Sequence, residues 1–332
     1  MSTVLVTGAA GFIGSHLCEA LLAEGHRVRG FDAFTEFYDP ARKRRNLAGC
    51  LDQPAFELVE GDLLTADLDP VLEGVEVVAH LAGEPGVTSS WGPDFPRYLD
   101  RNVLATQRLL EAAVAGDVRQ LVYASSSSVY GTGSEALRAD GEPRPFSPYG
   151  VSKLAAETLV GAYAHGHGLR TVSLRYFSVY GPRQRPDMAA HRFIEALLDG
   201  QPLQVFGDGS QVRDFTYVGD VVRATRLALF ADLPPAAVLD VASGRPASVA
   251  TLIGLLGELA SSGPTPIVQC EERRGDVPRT EGSPGTAHTH LGWVPVTDLR
   301  SGLARQVAWH ASVRSGLRPP DEPGALSTAA EL

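Results

Sequence analysis

The sequence predicts an α/β fold: a doubly wound parallel sheet followed by a smaller C-terminal lobe. Three observations predict it. Strand-type and helix-type segments alternate through the first half of the chain, which implies parallel strands joined by crossover helices. Val75–Leu81 and Gln120–Ser125 are nearly continuous apolar runs, as a sheet covered on both faces requires. Val4-Leu-Val-Thr-Gly8-Ala-Ala-Gly11-Phe12-Ile13-Gly14 reads as strand, tight turn and helix, the unit that aims a helix N-terminus at a diphosphate in a Rossmann-type sheet.

In the first unit, Gly8 lets the chain turn, Gly11 lets backbone approach a pyrophosphate, and Gly14 lets the helix from Phe12 to about Ala23 pack on the strand. The spacing is Gly-x-x-Gly-x-x-Gly. A second strand, Arg27–Asp32, ends in an acid about 20 residues on, where a carboxylate accepts bonds from the ribose hydroxyls of adenosine. Strands follow at Phe56–Glu60, Val75–Leu81, Gln120–Ser125 and Leu169–Phe177, with helical patterns at about 98–115 and at 148–165. The rhythm changes after about residue 178: helices at 189–199, 218–230, 248–260 and 297–311 stand among short segments and Pro/Gly turns. The expected organisation is a dinucleotide-binding domain over 1–178 and a mainly substrate-binding lobe over 179–314, with segments returning to the sheet. A disordered tail is expected over 315–332, rich in Pro, Gly, Ala and Glu.

At 332 residues the chain can bury a large core. Its net charge of −10 argues against a nucleic-acid binder, and no apolar run is long enough to span a bilayer. The first strand begins at Val4, leaving no room for a signal peptide. Cys18, Cys50 and Cys270 are odd in number and far apart, the pattern of free thiols in a reducing cytoplasm. Neither His165-Gly-His167 nor His288-Thr-His290 has a cysteine or carboxylate at ligand spacing, so no metal site is expected.

The strongest chemical signal is Tyr149-Gly-Val-Ser-Lys153 at a helix start after Pro148. Residues four apart share a helix face, so Lys153 sits beneath Tyr149 and can stabilise its phenolate. A tyrosine of pKa about 10 is a poor base at neutral pH; a lysine and a bound nicotinamide, both positive, would lower that value. Val122-Tyr-Ala-Ser125-Ser126-Ser127-Ser128-Val-Tyr-Gly131 is a strand running into hydroxyls at the edge where a doubly wound fold places its ligands.

With these motifs the chain resembles the extended short-chain dehydrogenase/reductase family, and within it the NAD-dependent nucleotide-sugar 4-epimerases. The resemblance covers about residues 3–312 and rests on Gly8/Gly11/Gly14, Asp62-Leu63, His80-Leu81-Ala82-Gly83, Asn102, the serine strand, Tyr149/Lys153 and Arg213-Asp-Phe-Thr-Tyr217. It implies tightly bound NAD, with Phe12 and Ile13 beside the glycine turn and Asp62 and Leu63 at the adenine. Leu81, Ala82 and Gly83 would line the nicotinamide side, with Asn102 near the cofactor. It implies Ser126 as the catalytic hydroxyl, Pro85 beside the substrate, Arg213 and Arg273 on the substrate diphosphate, and Val205-Phe206 on the nucleobase. It also implies a homodimer through the helices near 98–115 and 148–165.

Local residues separate the family's reactions. By the resemblance, dehydratases look to carry an acidic pair where this chain has Ser127 and Ser128, and UDP-glucuronate decarboxylases a glutamate at the Ser128 position. Neither acid is present, which leaves reversible oxidation at one carbon, that is, epimerisation. The run Phe37 to Asn46, the serine turn and Val179 to Asp187 are similar to UDP-glucuronate 4-epimerases. There Ser178 stands where UDP-glucose epimerases usually have Asn. Arg185 either meets the hexuronate carboxylate, contacts the nucleotide, or pairs with Asp187. Glu84-Pro85 departs from the family pattern, and Glu84 would repel a hexuronate unless turned away. Arg42-Lys-Arg-Arg45 is expected as a solvated helix face. The alternative substrates are UDP-glucose and UDP-galactose; the alternative role is an inactive NAD-binding sensor.

Overall fold

β1 (Thr3–Thr7) feeds α1 (Phe12–Ala23), and β2 (Arg27–Asp32) follows. Two short helices, α2 (Pro40–Asn46) and α3 (Ala48–Leu51), lead to β3 (Phe56–Glu60), and α4 (Asp69–Leu72) leads to β4 (Val77–His80). Then come α5 (Phe95–Tyr98), a π-helical turn (Leu99–Leu104), α6 (Ala105–Ala115), β5 (Gln120–Ser126), α7 (Pro148–His167) and β6 (Arg170–Tyr176). The second half comprises β7 (Ser178–Tyr180), α8 (Ala189–Leu198), β8 (Leu203–Phe206), β9 (Val212–Arg213), β10 (Phe215–Tyr217), α9 (Val218–Phe230), β11 (Ala237–Val241), β12 (Ala247–Ser248), α10 (Val249–Leu259), β13 (Ile267–Cys270), α11 (Gly285–Leu291) and α12 (Leu299–Arg314). The computed structural model describes residues 1–131, 142–260 and 265–317, so most of the expected tail, 318–332, lies outside the described residues. No helix among the described residues is long and apolar enough to cross a membrane.

Seven strands form one sheet in the order β11-β6-β5-β4-β1-β2-β3, and every pairing is parallel. Alternation along each strand divides its side chains between two cores. Val4 and Val6 of β1, Val77 and Ala79 of β4 and Val122 of β5 face the core shared with α1, α8 and α9. Leu5, Val78, Leu121 and Tyr123 face the core under α4, α6 and α7. The strand order reverses between β1 and β4, which opens the crevice where such sheets bind ligands. β11 joins the sheet edge from the C-terminal half.

The expected helix at about 98–115 begins earlier, at Phe95, and is interrupted by the π-helical turn. The wider turn sets Asn102, 1% exposed, against the loop after β4; such turns cluster at functional sites.

At the switch point, His80 is fully buried between Thr7 and Thr106, 2.7 and 2.9 Å from their hydroxyls. The Thr106 hydroxyl donates to the Asn102 carbonyl at 2.7 Å, so it accepts from His80 Nε2–H. Nδ1 therefore accepts from Thr7, which in turn accepts the Ala82 N–H at 3.2 Å. The ring is held neutral: burial, with the Lys153 charge adding to it, pushes its pKa down to about 3.

Two predictions follow from this packing. A Cβ on Gly14 would stand 2.1 Å from the Gly8 carbonyl oxygen, whereas one on exposed Gly166 meets nothing. Gly14→Ala should cost about 1–3 kcal/mol and lower dinucleotide retention; Gly166→Ala should be neutral or stabilising by up to about 1 kcal/mol, both read by thermal unfolding and bound-dinucleotide content. Unfolded His80 titrates at 6.5 and folded His80 at about 3, so between these values the unfolded chain binds the extra proton. Stability is therefore expected to fall as pH drops below about 6.5, by about 1.4 kcal/mol per pH unit for this group. His80→Gln should flatten urea-denaturation stability against pH by that slope.

Candidate active site

The glycine turn builds the first wall. Gly8 has φ of 69°, and a Cβ there would lie 2.8 Å from the Ala82 nitrogen. Gly11 is the N-cap of α1 and brings no side-chain cap, so the helix start is left to its backbone N–H groups. Phe12 is buried and Ile13 half-buried behind it. Asp32 closes β2 at 7% exposure and accepts the Ala10 N–H at 3.0 Å and the Phe34 N–H at 2.8 Å. Burial pushes its carboxyl up, while Phe34, the Lys43 charge and Ala10 pull it down. A carboxylate has about four lone-pair sites, which leaves capacity for ribose hydroxyls. A side-chain-free cradle, an open helix start and an acid at the second strand end together fit a dinucleotide.

The basic run in α2 departs from the expected solvated face. Arg44 pairs with Glu60 in solvent, but Lys43 is buried, donates to Thr35 at 3.0 Å and lies in the field of Asp32. The helix packs that one position inward because Asn46, also buried, donates to the Ala10 carbonyl at 3.0 Å.

Further round the crevice, Leu63 packs into the core beneath α6, and its carbonyl accepts from Arg108 at 2.8 Å. The Asp62 carboxylate accepts the Leu64 N–H at 2.9 Å. Leu81 and Ala82 are half-buried and Gly83 exposed. Asn102 commits its whole amide to fixing this loop: it accepts from Glu84 N–H at 2.7 Å and donates to the Glu84 carbonyl at 3.0 Å and the Ser152 hydroxyl at 2.9 Å. Glu84 is 3% exposed and turned onto Arg101 at 2.8 Å and Arg97 at 3.1 Å. The Pro85 carbonyl accepts the Tyr98 hydroxyl at 3.0 Å.

α7 starts with Ser147 capping Gly150 N–H at 3.1 Å and Pro148 in the first turn. A Cβ on Gly150 would be 2.4 Å from the Ser128 carbonyl, so only glycine lets the helix start press on the serine turn. That contact brings Tyr149, itself half-buried, near Ser126. Ser126 also accepts the Ser128 N–H at 3.1 Å, while Ser127 and Ser128 stay half-buried in the turn. Ser125 points the other way, donating to Glu157 at 2.5 Å.

The lysine differs from expectation. Lys153 Nζ donates to the Ala124 carbonyl and lies 4.4 Å from the centre of the Tyr123 ring. Its pKa is pushed down to about 7 by burial, opposed by Glu157. The Tyr149 phenol is raised by burial; the groups that pull it down are Ser126 and the Arg185 charge, with Tyr98 raising it. Helical spacing puts the lysine on the right face, but the β5 carbonyl holds its ammonium.

Arg185 makes the Asp187 pair, at 2.9 and 3.0 Å, yet lies close enough to act on Tyr149. Ser178 is half-buried on β7, its N–H donating to the Asp214 carbonyl at 3.0 Å. Val205 belongs to the core; Phe206 is half-buried and carries the Arg273 guanidinium 3.6 Å from its ring centre. Arg213 is held by Asp276.

Three contributors were not singled out from the sequence. Tyr98 stands edge-on to Tyr149 at 6.2 Å. Arg192 lies beside Phe206 and acts on Arg273. Fully buried Asp214 accepts from Ser243 N–H at 2.7 Å, Gly244 N–H at 3.0 Å and Gly282 N–H at 3.3 Å, fixing the loops around Arg213. Only the position of Asp214 inside the Arg213–Tyr217 motif hinted at it.

The model of the NAD dependent epimerase/dehydratase family matches residues 4–239. The chain is 41% identical over 314 residues to the uncharacterized UDP-glucose epimerase YtcB of Bacillus subtilis, covering 94% of this chain and 99% of that one. The crystal structure of UDP-glucuronic acid 4-epimerase from Bacillus cereus in complex with UDP-glucuronic acid and NAD superposes with a TM-score of 0.91 at 39% identity, over 94% of this chain and 99% of that one. MoeE5 in complex with UDP-glucose and NAD gives 0.86 at 43% identity, over 94% and 100%. With the glycine cradle, the acid at the end of β2 and the serine–tyrosine–lysine constellation in place, the chain belongs to the NAD dependent epimerase/dehydratase family, among the extended short-chain dehydrogenase/reductases.

Proposed function

We propose that this chain interconverts UDP-glucuronate and UDP-galacturonate by reversible oxidation at C4, using tightly bound NAD. The observation that carries the reading is Tyr149, half-buried at the start of α7 where Gly150 presses on the serine turn after β5, with Ser126 and the Arg185 charge near enough to pull its phenol down. Bound NAD would supply reversible hydride acceptance at C4, returned to the opposite face of the ring. Tyr149 takes the C4 hydroxyl proton and later returns it. Ser126 polarises the C4 oxygen. Lys153, with a pKa near neutrality, stabilises developing phenolate charge once it leaves the Ala124 carbonyl.

The remaining residues bind. Gly8, Gly11, Phe12, Ile13 and Gly14 face the dinucleotide pyrophosphate, Asp32 its ribose, and Asp62 and Leu63 its adenine. Leu81, Ala82 and Gly83 line the nicotinamide side, on the loop that Asn102 fixes. Arg213 and Arg273, with Arg192 beside them, take the substrate diphosphate, and Val205–Phe206 the base. Residues 179–314 supply most of this substrate lobe.

The hexuronate is favoured because Glu84, which would otherwise repel it, is turned away and neutralised by Arg97 and Arg101. A 4-keto group β to the C6 carboxylate readily loses CO2; Ser127, Ser128 and Ser178, with Pro85 beside them, hold the carboxylate in a rotamer that disfavours loss. A second reading, exchange of UDP-glucose and UDP-galactose, is favoured by the Asp187 pair that engages Arg185 and by the resemblance to YtcB. A homodimer through α6 and α7 would cover Leu99, Leu104 and Val151, all more than a third exposed. Three free cysteines suit a cytoplasmic location.

Incubation with UDP-glucuronate beside UDP-glucose at matched concentration, followed by product separation, tests the substrate: faster conversion of the hexuronate is expected, and faster conversion of UDP-glucose selects the second reading. Tyr149→Phe should retain NAD and lose interconversion by about 10²–10⁴-fold; near-normal turnover would remove Tyr149 from the role. Ser128→Glu should release more UDP-pentose by-product, and unchanged product ratios would sink the serine account.

A further inference from the structure

Away from the crevice, α8 and α12 bring together His191, Glu195 and His310, and one donor atom of each lies within 4.8 Å of the others. His191 and Glu195 are four apart and so share a face of α8; His310 arrives from α12, its ring centre 4.4 Å from that of His191. Both imidazoles are buried, at 4% and 2% exposure.

Hydrogen bonding sets the tautomers. His191 Nδ1 lies 2.8 Å from the Gln184 carbonyl. A carbonyl only accepts, so Nδ1 carries the proton and Nε2 presents a lone pair. A backbone carbonyl on the far nitrogen is the arrangement that orients metal-binding histidines. His310 Nδ1 is bonded to Glu195, and its Nε2 is buried without any hydrogen-bond partner. An ion ligated by both His310 and Glu195 therefore takes the place of the proton between Nδ1 and the carboxylate, and Nε2 keeps its N–H. The trio lines a cleft of about 1530 Å³ between α1, α2, α8 and α12 that includes none of the Tyr149 constellation.

We propose that His191, Glu195 and His310 bind one divalent transition-metal ion of the zinc class. Two imidazoles and a carboxylate are the three-ligand set of four-coordinate zinc, with the last position open to water from the cleft. Metal–ligand bonds of about 2.0–2.2 Å require the donors to close by small rotamer shifts. Two cations oppose binding: the Arg42 guanidinium stands 3.3 Å from His191 Nε2, and Arg314 pairs with Glu195 at 3.3 Å. Arg42 also lines the cleft, and it must swing into that space for the ion to enter. The site has a route to the crevice, because Gln184 occupies the loop that carries Arg185. Its side chain accepts from His191 N–H at 3.0 Å and from Gln306 at 2.8 Å. A bound ion would tie α8, α12 and this loop together.

The test is equilibrium dialysis of the tag-free full chain, with its dinucleotide, against ZnCl2 and separately CoCl2, followed by metal quantification and the visible spectrum of the cobalt form. One ion per chain, a four-coordinate cobalt spectrum and a rise in Tm with Zn2+ are expected. His191→Ala and His310→Ala should each lower affinity at least tenfold, with retained dinucleotide showing that they fold. Arg42→Gln, which removes the cation at His191 and leaves the ligands intact, should tighten binding several-fold and covers the case in which the histidine variants do not fold. Failure of the wild-type chain to take up either ion overturns the site, as does equal binding by both histidine variants or weaker binding by Arg42→Gln.

Discussion

The close approach of α1 to the end of β1 is the constraint on which the crevice depends. Gly14 sits so near the Gly8 carbonyl that no side chain fits between helix and strand. That contact sets the direction of the helix and brings its uncapped start to the strand-order reversal between β1 and β4. The same turn touches the loop after β4, where Gly8 abuts Ala82. A single stretch of backbone therefore ties the open start of α1 to the loop after β4.

From that contact a chain of neutral hydrogen bonds runs across the sheet edge. Ala82 N–H donates to Thr7, Thr7 to His80, His80 to Thr106, and Thr106 to the Asn102 carbonyl. Asn102 then closes the circuit onto Glu84 and Ser152 at the start of α7. Every member is buried or half-buried and satisfied, so the loop is rigid without charge. Such networks specify one arrangement because any unpaired member would be costly.

Charge is kept behind the reacting surface. Glu157 holds Arg175 and Ser125, and Arg175 reaches Tyr130, which donates to Asp240. This network stiffens β5 and α7 from the far side while the hydroxyls of Ser126, Ser127 and Ser128 lie in the turn in front. Glu84 follows the same rule with Arg97 and Arg101. Both carboxylates are thus paired with arginine rather than left open to the turn.

The alternating strands and helices, the glycine turn, the acid at Asp32 and the Tyr149/Lys153 spacing were legible in the sequence, because each depends on residues a few positions apart with a period of two or 3.6. Element ends agreed closely for the same reason: α1, β2 and α9 are set by local patterns and turn residues. The partners of these residues were not legible. Lys153 bonded to Ala124, Glu84 clasped by two arginines, Lys43 drawn inward beside Asp32, and His310 set against His191 all join side chains from separate elements. Local periodicity decides which face a residue takes; only the packing of whole elements decides what waits across that face, since burial forces each polar group to find whichever partner the fold brings within about 3 Å.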